Sequence, residues 1–456
     1  MNDKQVSRRL FLVGSAATVA AAGCAAPGGS VKVRSTTQAK SGFKSPNEKL
    51  NMAAIGAGGK GSSDIQQCAS LGENVIALAD PDQKQAAGNF NRYADAKKYQ
   101  DFRVMLDEMG DQIDACTIST PDHTHAVAAV ACMERGIHVY VQKPLTKTIY
   151  EARYLTETAR KYGVMTQMGN QGHSGDGVRD LCEIIWSGMI GDVTEIHAWT
   201  NRPVWPQGIK DPLPAEEVPE NMNWDLWIGP APFRPYNSKY APFNWRGWWD
   251  FGCGALGDMA CHILDPVNMS MQLGYPIAVE CLMEDGNSEQ TFPNKSIIRF
   301  TFPARPGFPQ VDVYWYDGGL KPKMPEGVVE DYEMEACGSI YYGSKGIAAS
   351  GEYGGGSRVI KGDAVGQKPA QMLPRLPGDG DDMKHKIDFI RACKTGVPAG
   401  SNFDYAGPFT EWVVMGNLSL KFPHEKLDWD GEAMRFTNKK EANDYVHYKY
   451  RKGWSL

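Results

Sequence analysis

No apolar run in this sequence approaches the ~20 residues that a membrane-spanning helix needs, so no internal transmembrane helix is expected. Long blocks of Lys and Arg are also missing. With a formal charge of −6, that argues against a nucleic-acid partner. There is no H-E-x-x-H and no paired C-x-x-C, which are the usual spacings of a zinc site, so no metal is expected. Cysteine is present without a disulfide framework. Nine cysteines follow Cys24, scattered through stretches such as "DACTIST" and "AVACMERG". Buried free thiols of this kind fit a chain that folds in a reducing compartment. What remains is 456 residues, 42% hydrophobic and 22% charged, enough for two or more domains around a substantial core.

The first 24 residues read as a targeting segment. In "SRRLFLVGSAATVAAAGC", Arg8 and Arg9 precede a mildly apolar run that ends in small residues. The pair, with Phe11 and Leu12, resembles a twin-arginine export signal, although Val13 stands where Lys is usual. "AAGC" resembles a lipoprotein cleavage box, with Ala21 in place of the usual Leu. That leaves a lipid anchor at Cys24, the only membrane link expected, open. Residues 25–48 read as a tether. The expected location is exported, periplasmic or held at the cell envelope. The twin-arginine route carries folded cargo, which agrees with the thiols.

From residue 49 the pattern changes. "KLNMAAIGAGGKGSSDIQQCASL" passes from an apolar run through Gly56, Gly58, Gly59 and Gly61 into a helical pattern, and "NVIALAD" ends in Asp80, 19 residues after Gly61. A strand, a glycine-rich turn, a helix and an acid at that spacing form the dinucleotide fingerprint. Asp80 would accept ribose hydroxyls and repel a 2′-phosphate. NAD is therefore favoured over NADP, with Lys84 close enough to keep NADP in play. Strands and helices continue to alternate through "QIDACTIST", "THAVAAVACMERG", "IHVYVQ", "YEARYLTETARKYG" and "VMTQMGN", which predicts a doubly wound parallel sheet over residues 49–171. Ligands of such sheets lie at the carboxyl ends of the strands. There the chain carries "TPDHTH", "QKP" and "GNQGHS", making Thr120, Pro121, His123, His125, Lys143 and Asn170 candidate cofactor contacts and His173 a candidate substrate contact.

"TPDHTHA", "YVQKPL" and "WRGWWDFGCGALGDMACHILD", in that order on a nucleotide fold, resemble the glucose–fructose oxidoreductase, inositol dehydrogenase and rhizopine-catabolism (Gfo/Idh/MocA) family over nearly all of the chain after the tether. The resemblance implies a Rossmann domain followed by a C-terminal α/β domain on an open, mostly antiparallel sheet whose outer face makes subunit contacts, hence a homo-oligomer. It implies Lys143 near a nicotinamide and Asp258 with His262 as an acid–base pair. The family's Glu before the lysine is here Gln142. Its loss removes a negative charge beside Lys143 and alters the potential at the nicotinamide.

Residues 172–456 read as the substrate-binding and oligomerisation domain. "VTEIHAWT", "IAVECLME", "KSIIRFTF", "QVDVYWYD" and "GSIYYGS" follow one another with few helices between them, which predicts antiparallel pairing. "HKIDFIRACKTG" and "PFTEWVVMGNLSLKF" read as helices. Seven of the twelve tryptophans lie between Trp199 and Trp249. Such rings stack on sugar faces or simply pack, and Trp245, Asn201, Arg202 and Arg246 are candidate carbohydrate contacts.

Asp258 and His262, one helical turn apart, share a helix face. The spacing alone fits a metal half-site, an acid–base pair or a structural ion pair. Proton handling fits best with the other motifs, with His262 as base, Asp258 either orienting it and holding its tautomer or binding a neighbouring hydroxyl, and Lys143 donating to the same oxygen. Asp265 lies near that face and is expected to buttress His262, with Pro266 bending the helix. The expected function is an exported NAD-dependent oxidoreductase acting on a hydroxyl of a sugar, glycoside or polyol through a tightly bound cofactor. Redox-neutral glycoside cleavage by oxidation and elimination, and a non-catalytic sugar-binding lipoprotein, are the alternatives.

Overall fold

The computed structural model describes Ser45 and residues 47–456. The export signal, Cys24 and nearly all of the tether lie outside the described residues.

Strands β1 (Asn51–Ile55), β2 (Asn74–Ala79), β3 (Lys97–Tyr99), β4 (Ala115–Ile118), β5 (His138–Val141) and β6 (Thr166–Met168) form one sheet in the order β3-β2-β1-β4-β5-β6. Every neighbouring pair in it is parallel. Helices α1 (Gly59–Ser70), α2 (Gln83–Arg92), α3 (Phe102–Met109), α4 (His125–Met133) and α5 (Ile149–Tyr162) link the strands. This is the doubly wound order, and its switch point between β1 and β4 opens the crevice where ligands bind. Local signals set the helix ends. In α5, Thr148 and Glu151 form a capping box and Gly163 closes the helix in the left-handed conformation.

After α6 (Asp176–Trp186), the second sheet comprises β7 (Val193–Trp199), β8 (Ala278–Asp285), β9 (Lys295–Phe302), β10 (Val311–Tyr316), β11 (Gly338–Gly343), β12 (Gly346–Gly351), β13 (Arg358–Gly362), β14 (Lys426–Asp430) and β15 (Arg435–Phe436). Its order is β13-β12-β11-β7-β10-β9-β8-β14-β15, antiparallel throughout except for β7 with β10. Burial alternates along β9 and β10, so one face is core and the other half-open. On the half-open face His197 stacks on Tyr314 at 4.8 Å.

The helices that complete the molecule are α7 (Trp224–Ile228), α8 (Gly254–Ile263), α9 (Asp265–Met271), α10 (Asp381–Thr395) and α11 (Phe403–Ser419). α11 begins five residues before the predicted start, with Pro408 inside it rather than opening it. Trp412 of α11 packs edge-on against Phe300 and Phe302 of β9 at 5.0 and 5.3 Å. Where α11 crosses α8, a Cβ on Gly416 would come within 2.5 Å of Leu256 and 2.7 Å of Phe300. That close approach seats α8, the helix of Asp258 and His262, against the sheet.

One packing relation departs from a division of the chain at residue 171. α10 folds back onto the first sheet, where Phe389, Ile390 and Cys393 share a core with Leu50, Met52 and Tyr140. All nine described cysteines are free and buried.

Candidate active site

The glycine turn leaves no room for a side chain at Gly56 or Gly61. Gly56 has φ +81°, and a Cβ there would sit 2.7 Å from the Ser119 carbonyl oxygen. A Cβ on Gly61 would come within 1.8 Å of the Gly56 oxygen, so this glycine serves helix–strand packing rather than the cavity. At Gly59, φ +50°, a Cβ would meet nothing within 4 Å, because the residue faces open space. No side chain caps the N-terminus of α1 and no acid lies in its first turn. This leaves a backbone cradle suited to a pyrophosphate. Asp80 closes the cradle. One carboxylate oxygen accepts from the Ala57 and Gly58 amides at 2.9 and 3.0 Å, and the other from the Asp82 amide. Burial nevertheless raises its pKa to about 6. These residues fit a dinucleotide.

A cavity of about 590 Å³ runs from this turn to α8. It is lined by Gly56, Gly58, Gly59, Asp80, Thr120, Pro121, Lys143, Asp258 and His262, with Arg202, Trp245 and Arg246 on its far side. Lys143 Nζ donates to Asp258 Oδ1 at 2.7 Å and to the Asp258 carbonyl at 2.8 Å. Arg246 Nε lies 3.3 Å from the same carboxylate oxygen, and Arg202 Nε 3.8 Å from the other. Burial alone would raise the Asp258 pKa. Lys143 and Arg246 outweigh it and hold the carboxyl well below its usual range. His262 is 3% exposed, and burial first, then the Lys143 charge, pushes its pKa well down. It is therefore a neutral imidazole at ordinary pH. No hydrogen bond joins it to Asp258, and its Nδ1 is buried with no partner among the described residues. The expectation that Asp258 holds the His262 tautomer is corrected: Asp258 gathers three cations instead.

Residues 50–170 match the family model described as "Oxidoreductase family, NAD-binding Rossmann fold", and residues 175–298 match its "C-terminal alpha/beta domain". The chain belongs to the Gfo/Idh/MocA oxidoreductase family. A relative named glycosyl hydrolase family 109 protein 2, from Akkermansia muciniphila, is 30% identical over 219 residues, covering 41% of this chain and 45% of that protein. Inositol 2-dehydrogenase of Salmonella typhimurium is 28% identical over 152 residues, covering 32% and 45%. The chain thus spans under half the length of these two curated relatives. The WlbA dehydrogenase from Bordetella pertussis, solved with NADH and UDP-GlcNAcA, superposes with a TM-score of 0.60 at 13% identity, covering 84% of this chain and 99% of that one. At that identity the likeness speaks to fold.

Several family-motif residues stand outside the cavity. His123 has its ring nitrogens 3.1 and 3.0 Å from the carbonyls of Phe251 and Trp227, and His125 lies 2.8 and 2.9 Å from those of Pro144 and Thr120. Both side chains are held by backbone oxygens, so they brace loops rather than face the cofactor. Asn170 and His173 bond Asp265 at 3.0 and 3.1 Å, and Tyr405 joins the same carboxylate at 2.7 Å. Asp265 therefore serves that buried cluster and not His262. Pro266 does interrupt the helix, which restarts as α9. Most of the tryptophans pack. Trp199 and Trp248 are fully buried, Trp224 and Trp227 stack at 4.8 Å, and of this group Trp205, Trp227 and Trp245 reach the cavity.

Gln142 does not approach the Lys143 ammonium. Its amide donates to Asp64 Oδ2 at 2.8 Å, while Lys386 Nζ donates to Asp64 Oδ1 at 2.8 Å. Asp64 and Lys386 are both fully buried. Gln142 thus brings no charge of its own and joins the neutral Asp64–Lys386 pair, and Lys143 takes Asp258 as its counter-ion. Tyr353, which also lines the cavity, comes from the turn between β12 and β13, where no sequence motif marks it.

Proposed function

We propose that this chain is an NAD-dependent oxidoreductase that moves hydride between the nicotinamide and a hydroxyl-bearing carbon of a sugar, glycoside or polyol. The observation that carries this reading is one continuous cavity with a dinucleotide cradle at one end and Lys143, Asp258 and His262 at the other. When bound, NAD supplies the hydride acceptor. The neutral His262 imidazole takes the hydroxyl proton as the carbonyl forms. Lys143 donates to the same oxygen, and Asp258 fixes the ammonium for that task. Arg202 and Trp245 offer a polar and an apolar wall to a sugar ring. Nicotinamide recovered from the denatured protein, and its reduction in the folded protein by a panel of polyols and sugars, test the reading. A folded protein that takes up no nicotinamide would falsify it.

A second reading, redox-neutral glycoside cleavage, is favoured by the relative named as a glycosyl hydrolase. Oxidation of a ring hydroxyl to a ketone would acidify the adjacent C–H; loss of that proton would expel the aglycone as its alcohol, water would add to the resulting enone, and return of the hydride to the ketone would regenerate the hydroxyl and the oxidised cofactor. Mass spectrometry of products separates the two readings: keto-sugar for the first, free aglycone for the second. The export reading of residues 1–24 joins either one, since a cofactor loaded before export must then be retained.

Asp80 makes cofactor binding pH-dependent. Ribose hydroxyls donate to its carboxylate, so binding favours the ionised form, and the free protein protonates it near pH 6. NAD affinity should hold above that pH and fall by up to about tenfold per unit below it, with proton release on binding. Calorimetry in buffers of different ionisation heat measures both. An affinity that is flat from about pH 8 to about pH 5 would rule out a contact between Asp80 and ribose.

A further inference from the structure

Tyr353 holds an unusual place. Its φ of +59° and ψ of 20° put an aromatic residue in the left-handed region. Such conformations persist when the surroundings over-determine them, and they cluster at functional sites. The surroundings here are glycines. A Cβ on Gly172 would lie 2.9 Å from the Tyr353 Cβ, and one on Gly177 would strike the Gly354 carbonyl at 2.1 Å. Gly354 follows at φ +80°. The turn is thereby pressed onto the first turn of α6 and the segment before it, and the Tyr353 ring is brought to 4.6 Å from the His262 ring, tilted by 59°.

We propose that Tyr353 is a positioning residue that acts through His262, its ring covering the imidazole and keeping water from the buried, unpartnered Nδ1. The proposal rests on the reading of His262 as the base. The other groups that bear on His262 are Lys143 from the end of β5, Arg246 and Asp258 around the start of α8, and Lys60 on α1. Glu352 and Arg202 flank Tyr353 itself. Only Asp258 favours the charged imidazole, and none of these groups leaves when the ring is removed. Uncovering His262 thus acts through hydration alone, and hydration favours the imidazolium.

Tyr353→Asn is the informative variant, because Asn tolerates the left-handed backbone. Proton–carbon NMR of the His262 Cε1–H, assigned with His262→Gln, follows the titration without catalysis. In Tyr353→Asn the midpoint should move up toward the ordinary imidazole value of ~6.5. The acid limb of the kcat/KM profile should move with it, costing about tenfold more at low pH than on the plateau for each unit moved. Tyr353→Phe keeps the ring and should keep the wild-type midpoint. An unchanged His262 midpoint in folded Tyr353→Asn, or the same displacement in Tyr353→Phe, overturns the proposal. If wild-type protein reduces no nicotinamide with any sugar while the midpoints still separate, the oxidoreductase reading fails and the coupling of the two rings stands.

Discussion

His262→Ala should lower kcat/KM for a sugar or polyol hydroxyl by about 10²–10⁴-fold, the usual contribution of a positioned general base. The loss should fall on kcat, since His262 lines the cavity at the α8 end, away from the glycine cradle. Bound NAD, measured after denaturation, should be unchanged. Lys143→Ala should cost a comparable factor by removing the donor to the developing oxyanion. It also leaves Asp258 with Arg246 and Arg202 alone, so its KM should shift as well. Steady-state kinetics on the best substrate of the panel decides the matter. A His262→Ala enzyme within about threefold of wild type would remove the imidazole from the proton transfer.

The largest effect on stability should come from Asp64→Asn. Lys386 is fully buried, its Nζ lies 3.9 Å from the centre of the Tyr140 ring, and Asp64 is its charged partner. Breaking a buried pair from one side typically costs about 3–5 kcal/mol, because the other charge is left uncompensated. Urea unfolding should show that loss with little change in slope. The double variant Asp64→Asn, Lys386→Met should recover most of it, since removing both charges avoids the penalty. Burial pushes the Asp64 pKa up, but Lys386 and Lys60 outweigh it and leave the value lowered. The pair therefore contributes fully above the unfolded carboxylate value of ~3.9, and its contribution is lost as pH falls through the lowered folded value. Acid unfolding that is identical in wild type and the double variant would contradict this.

The sequence was most legible where function and fold depend on short-range signals. Gly56 and Gly58 sit within one strand–turn–helix unit, and Asp80 directly follows the next strand, so their roles follow from spacing. Lys143 lies far in sequence from the Asp258–His262 pair, but the fold class brings the end of β5 and helix α8 to one crevice. Histidine was the least legible. His123, His125 and His173 look like site residues beside a strand end, yet what each does depends on which backbone oxygen or carboxylate meets its two nitrogens. That is set by Phe251, Trp227, Pro144 and Asp265, from distant segments or across a turn. The same holds for Asp265, which the helical period places near His262 but whose partners come from loops before α6 and from α11. Tyr353 was hidden for a related reason. Its turn reaches the cavity from the outer hairpin of the second sheet, and glycines in another segment fix its backbone.

The fold-back of α10 has a consequence for how the molecule is made. Asp64 and Lys386 are 322 residues apart along the chain, and Phe389, Ile390 and Cys393 finish the core under the first strand and helix. A ribosome that has released only the first sheet has made an acid that still lacks its base and a strand with one bare side. The glycine turn is encoded early, but its supporting helix settles only when the last quarter of the chain emerges. The core behind the glycine turn is therefore complete only once α10 has been made.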